Sequence, residues 1–199
     1  WNNGAIADVG AATWGSGTAG VTGTISSSNS LIGSTATDSV SFTGVTALTN
    51  GNYVVRSSFW NNGAIIDAGA ATWGDGSTGV TGTISSSNSL IGSTASDQVS
   101  SSGVTALTNG NYVVRSNLWD NGATTNVGAA TWSSGTAGVT GTISSSNSLI
   151  GSTASDQVSS AGIVALTNGN YVILSPNWDN GATVDVGAAT WGNGSTGTT

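Results

Sequence analysis

Apolar residues in this chain come in short runs between stretches of Gly, Asn, Ser and Thr, and the runs return every 59 residues without insertion or deletion. Trp1, Trp60, Trp119 and Trp178 keep that spacing, as do Trp14, Trp73, Trp132 and Trp191. Within a unit, Gly103–Leu107 alternates, with Val104 and Ala106 on one face, which predicts a short strand. Thr108-Asn109-Gly110-Asn111 then reads as a turn, because Asn-Gly accepts positive φ at both positions. Tyr112–Ser116 is the returning antiparallel strand. A loop at Trp119-Asp120-Asn121-Gly122 leads to a third strand, Gly128-Ala129-Ala130-Thr131-Trp132, whose small residues allow another layer to come close. After a turn at 133–138, Thr142-Ile143-Ser144 and Leu149-Ile150-Gly151 read as one fourth strand region, interrupted at Ser146-Asn147. No run has helical periodicity, and Gly with β-branched residues disfavours helix.

The pattern specifies an all-β protein of tandem 59-residue repeats, each a four-stranded antiparallel blade of the β-propeller kind. The alternative is a β-solenoid, in which one unit makes about three rungs of roughly 20 residues. The Asn-Gly turn favours the blade, since it folds its flanking strands back on each other. Residues 1–199 then form a single array: a partial unit 1–22 and full units at about 23–81, 82–140 and 141–199. A start in mid-repeat, without Met, reads as a segment of a longer chain. One unit alone buries too little surface, so neighbours must share a core. Three and a fraction blades do not close a ring of at least about four, which makes further repeats or self-association the expected partners.

Composition narrows the chemistry. Charged residues make up 6% of the chain, as nine Asp with Arg56 and Arg115; Lys, Glu, His and Cys are absent. A net charge of −7 with two cations argues against nucleic acid and against anionic membranes. No apolar run is long enough for a membrane-inserted helix. Without His, Lys or Cys there is no hydrolytic triad, no Ser-Lys pair and no thiolate. The Asp residues recur one per unit: Asp38, Asp97 and Asp156 form one series, and Asp8, Asp67 and Asp185, with Asn126 between, form another. That distribution fits turn capping rather than a catalytic pair. The expectation is a protein that is not an enzyme and takes no cofactor or metal.

The tryptophans carry the candidate binding chemistry. Trp73 and Trp132 end strands and are expected to wedge between units. Trp60, Trp119 and Trp178 each precede Asn or Asp, Asn and Gly, which places polar groups beside an aromatic plate. The candidate set is Trp60, Asn61, Asn62, Trp119, Asp120, Asn121, Trp178, Asp179 and Asn180, one shallow glycan site per unit. Packing is the preferred reading of these indoles, since Trp buries a large area and needs a partner for one N–H. Arg56 and Arg115 become Leu174 in the last copy, so the cation belongs to no shared site.

The order Leu90-Ile91-Gly92, Asp97-Gln98-Val99, Gly103–Val114 and Gly128-Ala129-Ala130-Thr131-Trp132 resembles the FG-GAP repeat of integrin-α-type β-propellers. It is also similar to tandem repeats of large secreted bacterial haemagglutinin-like surface proteins. The resemblance implies a propeller, an extracellular or cell-surface location in a bacterium, and calcium at the turn before the second strand. The residues there disagree with the last point. Thr49-Asn50-Gly51-Asn52 and its copies offer only neutral oxygens, whereas Ca²⁺ needs six to eight oxygens with carboxylates among them. The turns are therefore expected to hold by Asn-Gly backbone geometry alone. The function expected is a structural or adhesive, filament-forming surface segment, with lectin-like binding as the alternative.

Overall fold

Each Asn-Gly turn does reverse the chain, and the alternating runs on either side of it pair as a hairpin. The computed structural model describes residues 1–197. Its strands are β1 (Ala11–Thr13), β2 (Ser30–Ile32), β3 (Val45–Ala47), β4 (Tyr53–Ser57), β5 (Ala70–Gly74), β6 (Gly82–Thr83), β7 (Ser89–Ile91), β8 (Gly103–Ala106), β9 (Tyr112–Ser116), β10 (Ala129–Ser133), β11 (Gly141–Thr142), β12 (Leu149–Ile150), β13 (Gly162–Ala165), β14 (Tyr171–Ser175) and β15 (Ala188–Gly192). No helix occurs among the described residues. The protein is all-β, built of tandem repeats with small antiparallel sheets that do not close into a barrel.

The most complete sheet has the order β3-β4-β5-β7, all antiparallel, with Tyr53 opposite Gly74 and Ala71 opposite Leu90. A fifth strand, β11, joins it in parallel from the next repeat, with Gly141 beside Leu90 and Thr142 beside Ile91. The junction one repeat earlier is the same, with β6 beside β2 through Leu31–Gly82 and Ile32–Thr83.

This divides the expected fourth strand region in two. Gly-Thr leaves for the preceding sheet, and Leu-Ile stays with its own. A tight Ser/Asn turn makes the division. The Ser85 N–H donates to Asn88 Oδ1 at 2.9 Å, and Asn88 Nδ2 donates back to the Thr83 carbonyl at 2.9 Å. The sheet frame, 45–91, therefore straddles the expected unit boundary at 82. Thr198 and Thr199, the last residues of the unit expected at 141–199, lie outside the described residues.

The core sits between repeats as much as within them. Trp60 packs in one buried cluster with Leu31 of the preceding sheet and with Val40, Val55, Ala70 and Ile84. One repeat on, Trp119 packs with Leu90, Val99, Val127, Ala129 and Ile143. Ile84 and Ile143 are each 3% exposed. Full burial of such a side chain contributes about 2 kcal/mol, which ties each Gly-Thr-Ile segment to the sheet before it.

One segment departs from any pattern the sequence announces. Ser96, Gln98 and Ser100 all have left-handed φ, at 66°, 43° and 68°, and the equivalent residues in the other copies do the same. Left-handed geometry costs about 1–2 kcal/mol per residue outside Gly. Here it is held by pairing: the N–H groups of Ser96, Gln98 and Val99 reach the Ile66, Asp67 and Ala68 carbonyls at 3.0–3.1 Å. Ser100 N–H reaches Ser116 Oγ at 3.2 Å.

Candidate functional site

The features that recur with one geometry lie at the junctions between repeats, and one carbonyl stands at the centre of each. Asn50 Nδ2, Asn52 Nδ2 and Trp73 Nε1 all donate to the Gly135 carbonyl, at 2.8, 2.7 and 3.0 Å. Asn109, Asn111 and Trp132 meet the Gly194 carbonyl in the same way, at 2.8, 2.8 and 3.0 Å. Asn52 and Asn111 also accept from the Gly76 and Gly135 N–H groups of their own repeats, at 2.9 and 3.0 Å. Each of these Asn side chains thus ties its own tip loop to the next. Thr49 and Thr108 add bonds to the Leu107 and Leu166 carbonyls, at 3.0 and 3.2 Å. The turns are therefore not held by Asn-Gly backbone geometry alone. Their side chains are committed to the neighbouring repeat.

The tip loop must come very close for this to work. A Cβ built on Gly135 would lie 1.7 Å from the Gly110 carbonyl oxygen, and one on Gly194 1.7 Å from that of Gly169. The signal for it is visible in the copies: Gly17, Gly76, Gly135 and Gly194 are constant while the residue before each is Ser, Asp, Ser or Asn.

Beside each node runs a groove between repeats. One, of about 240 Å³, is lined by Trp73, Asp75, Val80, Asn88 and Val139. Its equivalent, of about 280 Å³, is lined by Trp132, Ser134, Val139, Asn147 and Thr196. The Trp Nε1 bond fixes the plane of each ring, and the ring stem packs on Gly138 or Gly197 of the next loop. Ser77, first through its hydroxyl and then through its N–H, holds the Asp75 carboxyl below the usual carboxylate range.

For the sequence candidates the structure favours packing, the preferred reading, over the glycan site. Trp60 and Trp119 are each 3% exposed, so neither offers a plate to a ligand. Physically, the indoles complete the core between sheets, and their Nε1 atoms are buried without a partner. Asn61 is buried; its N–H donates to Asp38 Oδ1 at 3.0 Å, and its Oδ1 accepts from the Asp67 N–H at 2.9 Å. Asn62, Asp120, Trp178 and Asp179 are half-buried, and Asn121 and Asn180 are exposed. These residues form loop and core, and Trp178 lines a cavity with Leu149, Ile150 and Val158. The grooves fall instead to Trp73 and Trp132, which wedge between repeats as expected yet keep part of the ring outside.

The buried Asp series does cap turns. Asp97 Oδ2 accepts the Ser93 and Thr94 N–H groups, both at 2.8 Å, and its Oδ1 accepts from Asp120 at 2.9 Å. Asp38 and Asp156 repeat the arrangement with Ser34, Thr35 and Asn61, and with Ser152, Thr153 and Asp179. Burial pushes the Asp97 carboxyl up, against the pull of its three N–H donors. The second series, Asp8, Asp67, Asn126 and Asp185, sits at φ of 52–53°, where Asn and Asp are the side chains best tolerated. That explains why Asn replaces Asp in one copy.

Among known families, the chain matches a Repeat of unknown function (DUF5650) over residues 1–42, 47–101, 106–160 and 165–199. It belongs to this repeat family. The DUF5650 matches over 47–101 and 106–160 begin 59 residues apart, at the last residues of β3 and β8, and each runs across an expected boundary, at 82 or 141. No curated protein matched.

Proposed function

We propose that this array of DUF5650 repeats is a non-enzymatic structural or adhesive segment, presented outside the cell or on its surface, in which the junction is the working part. The observation that carries the reading is the three-donor node on the Gly135 and Gly194 carbonyls, formed by equivalent atoms each time. Identical junctions hold successive repeats at a constant angle, as a spacer or filament requires. A chain without Cys, Lys or His, with Asp residues engaged in turns, supports a scaffold more than a catalyst. The propeller and FG-GAP likeness belong to the same reading. They are supported by β3 lying beside β8 and β8 beside β13, as the first strands of adjacent blades do. Antibody labelling of intact producing cells, followed by electron microscopy, tests it. Label at the surface on extended structures is expected, and protein confined to the cytosol overturns it.

A second reading has its own observation. Two equivalent grooves, each floored by an oriented Trp with Asn and Ser or Asp nearby, suit a neutral glycan better than the buried Trp60 and Trp119 do. Calorimetry with simple sugars on the wild type and on Trp132→Ala tests it. Heat that falls in the variant supports it, and no heat at millimolar sugar ends it.

A further inference from the structure

The chain has two Arg residues and no Lys, and the fold brings the two guanidinium groups together. Arg56 on β4 stands opposite Gly44, and Arg115 on β9 stands opposite Gly103, at the same place in successive repeats. Arg56 also reaches beyond its own repeat. Its Nη2 donates to the Thr43 carbonyl, while its Nη1 lies 3.5 Å from the point where a Cβ on Gly103 would stand. Arg115 Nη1 lies 3.8 Å from that same point, and no other side chain or backbone atom beyond Gly103 and its chain neighbours comes within 4 Å of it. The space over Gly103 is an opening framed by two guanidinium nitrogens. Elsewhere the arrangement is incomplete. The equivalent point over Gly44 meets Arg56 Nη2 alone, and the one over Gly162 meets nothing, because Leu174 stands opposite Gly162 where the Arg would be.

Neither cation meets a countercharge. Arg115 donates from Nε and Nη2 to the Ser159 and Ser160 carbonyls, at 3.2 and 3.4 Å, and Arg56 donates from Nη2 to Thr43. These bonds use neither Nη1, and they leave Arg56 Nε buried without a partner. Ser101 Oγ, two residues before Gly103, is likewise buried without a partner. Both Arg side chains are half-buried, and burial alone pulls their guanidinium groups below the usual range, with no carboxylate acting on either. Two like charges held close and partly out of water repel each other, and each is stabilised by an opposite charge within a few ångströms. The planar N–H fork of a guanidinium matches the paired oxygens of one oxyanion.

We propose that the opening over Gly103 is an anion site, in which Arg56 and Arg115 together hold one compact oxyanion, a carboxylate or sulfate group, between neighbouring repeats. The bound group offsets the repulsion of the pair and links β4 of one repeat to β9 of the next through their side chains. In a chain of net charge −7 the two cations are a local exception, so the site suits a single charged group rather than a polyanion lying along the surface. An acidic sugar and a free anion both present this chemistry. The site uses neither the Gly135 and Gly194 nodes nor the Trp grooves, so it stands apart from the scaffold and neutral-glycan readings.

With two Arg in the chain, the proton–nitrogen correlation spectrum holds two Arg Nε–H signals, one for each wall of the site. Titration of the full chain with sodium acetate, sodium glucuronate and sodium sulfate at constant ionic strength tests the proposal. With at least one of these anions both signals should move together and saturate at a single dissociation constant. Saturation by acetate and glucuronate marks a carboxylate site, by glucuronate alone an acidic-sugar site, and by sulfate alone a sulfate site. Arg115→Leu installs the residue that the fold already carries at Leu174, so its far-ultraviolet spectrum should be unchanged. In that variant the Arg56 signal should need about tenfold more anion, the loss of one charge-assisted contact. Arg56→Leu should do the same to the Arg115 signal. Shifts that grow linearly with all three salts, one signal moving without the other, or equal affinity in the variants overturn the proposal. None of these results bears on surface labelling of cells or on sugar binding at Trp132.

Discussion

At the scale of single residues, the close approach at the node gives a graded expectation. Gly135→Ala places a methyl within 1.7 Å of the Gly110 oxygen, so the tip loop and the Asn109-Gly110 turn of its own repeat must separate. A loss of about 2–3 kcal/mol, the upper part of the usual range for point mutants, is expected in urea unfolding. Gly122→Ala is the control. Its φ is +61° but nothing lies within 4 Å of the new methyl, so only the backbone term of about 1 kcal/mol should appear. Equal losses at the two sites would sink the close-contact account. Tyr112 supplies the pH dependence. Burial pushes its phenol up to about 12, despite hydrogen bonds to Ser133 and Val139 that pull it down. The unfolded chain gives up that proton near pH 10 and the folded one later, so stability is whole below about pH 10 and is lost as pH rises toward 12. The loss is on the order of 2–3 kcal/mol. The chain has no Lys or Cys, and Tyr53, which burial also pushes up, shares this range. Tyr112→Phe should reduce the slope of the alkaline arm of the unfolding curve, and an unchanged slope would assign it elsewhere.

At the scale of elements, the Asn-Gly turns connect repeats as well as strands. Asn109 and Asn111 spend their Nδ2 groups on Gly194, and Asn111 its Oδ1 on Gly135, so those oxygens and nitrogens are engaged before any ion arrives. Melting curves in excess chelator and in millimolar Ca²⁺ should coincide, since a ligand bound only by the folded state must raise its stability. A calcium-dependent rise would place the ligands among Asp67, Asp97 and their equivalents. Asn111→Ala should cost about 1–2 kcal/mol, because it leaves the Gly135 N–H and one bond to Gly194 unmade.

At the scale of the whole molecule, stability should behave as a sum over repeats and junctions. Inserting one in-phase copy of residues 82–140 adds a node, a groove and a docked Gly-Thr-Ile segment. The urea midpoint and the transition slope should both rise. An unchanged midpoint would mean that the repeats unfold independently and that the shared clusters around Trp60 and Trp119 contribute little.

The sequence by itself determined the period, the all-β class and the hairpins. These follow from local causes: alternation sets which face is buried, and Asn-Gly accepts the backbone angles of a reversal. The β9 strand falls at Tyr112–Ser116 as the reversal at Asn109-Gly110 places it, and the Asp97 series caps turns because a short carboxylate reaches N–H groups a few residues away. What the tertiary structure decided are the partners at long range. Whether Gly141-Thr142 stays with its own sheet or crosses to Leu90-Ile91 depends on an edge 51 residues earlier, which no local pattern encodes. Whether Trp60 or Trp73 meets solvent depends on which neighbouring sheet closes over it, and both indoles sit in similar polar company along the chain. Packing is the preferred reading of the loop indoles, and Trp60 and Trp119 are buried; the partly open ring is found at the junction instead, where the next repeat covers one part of it and leaves the rest open.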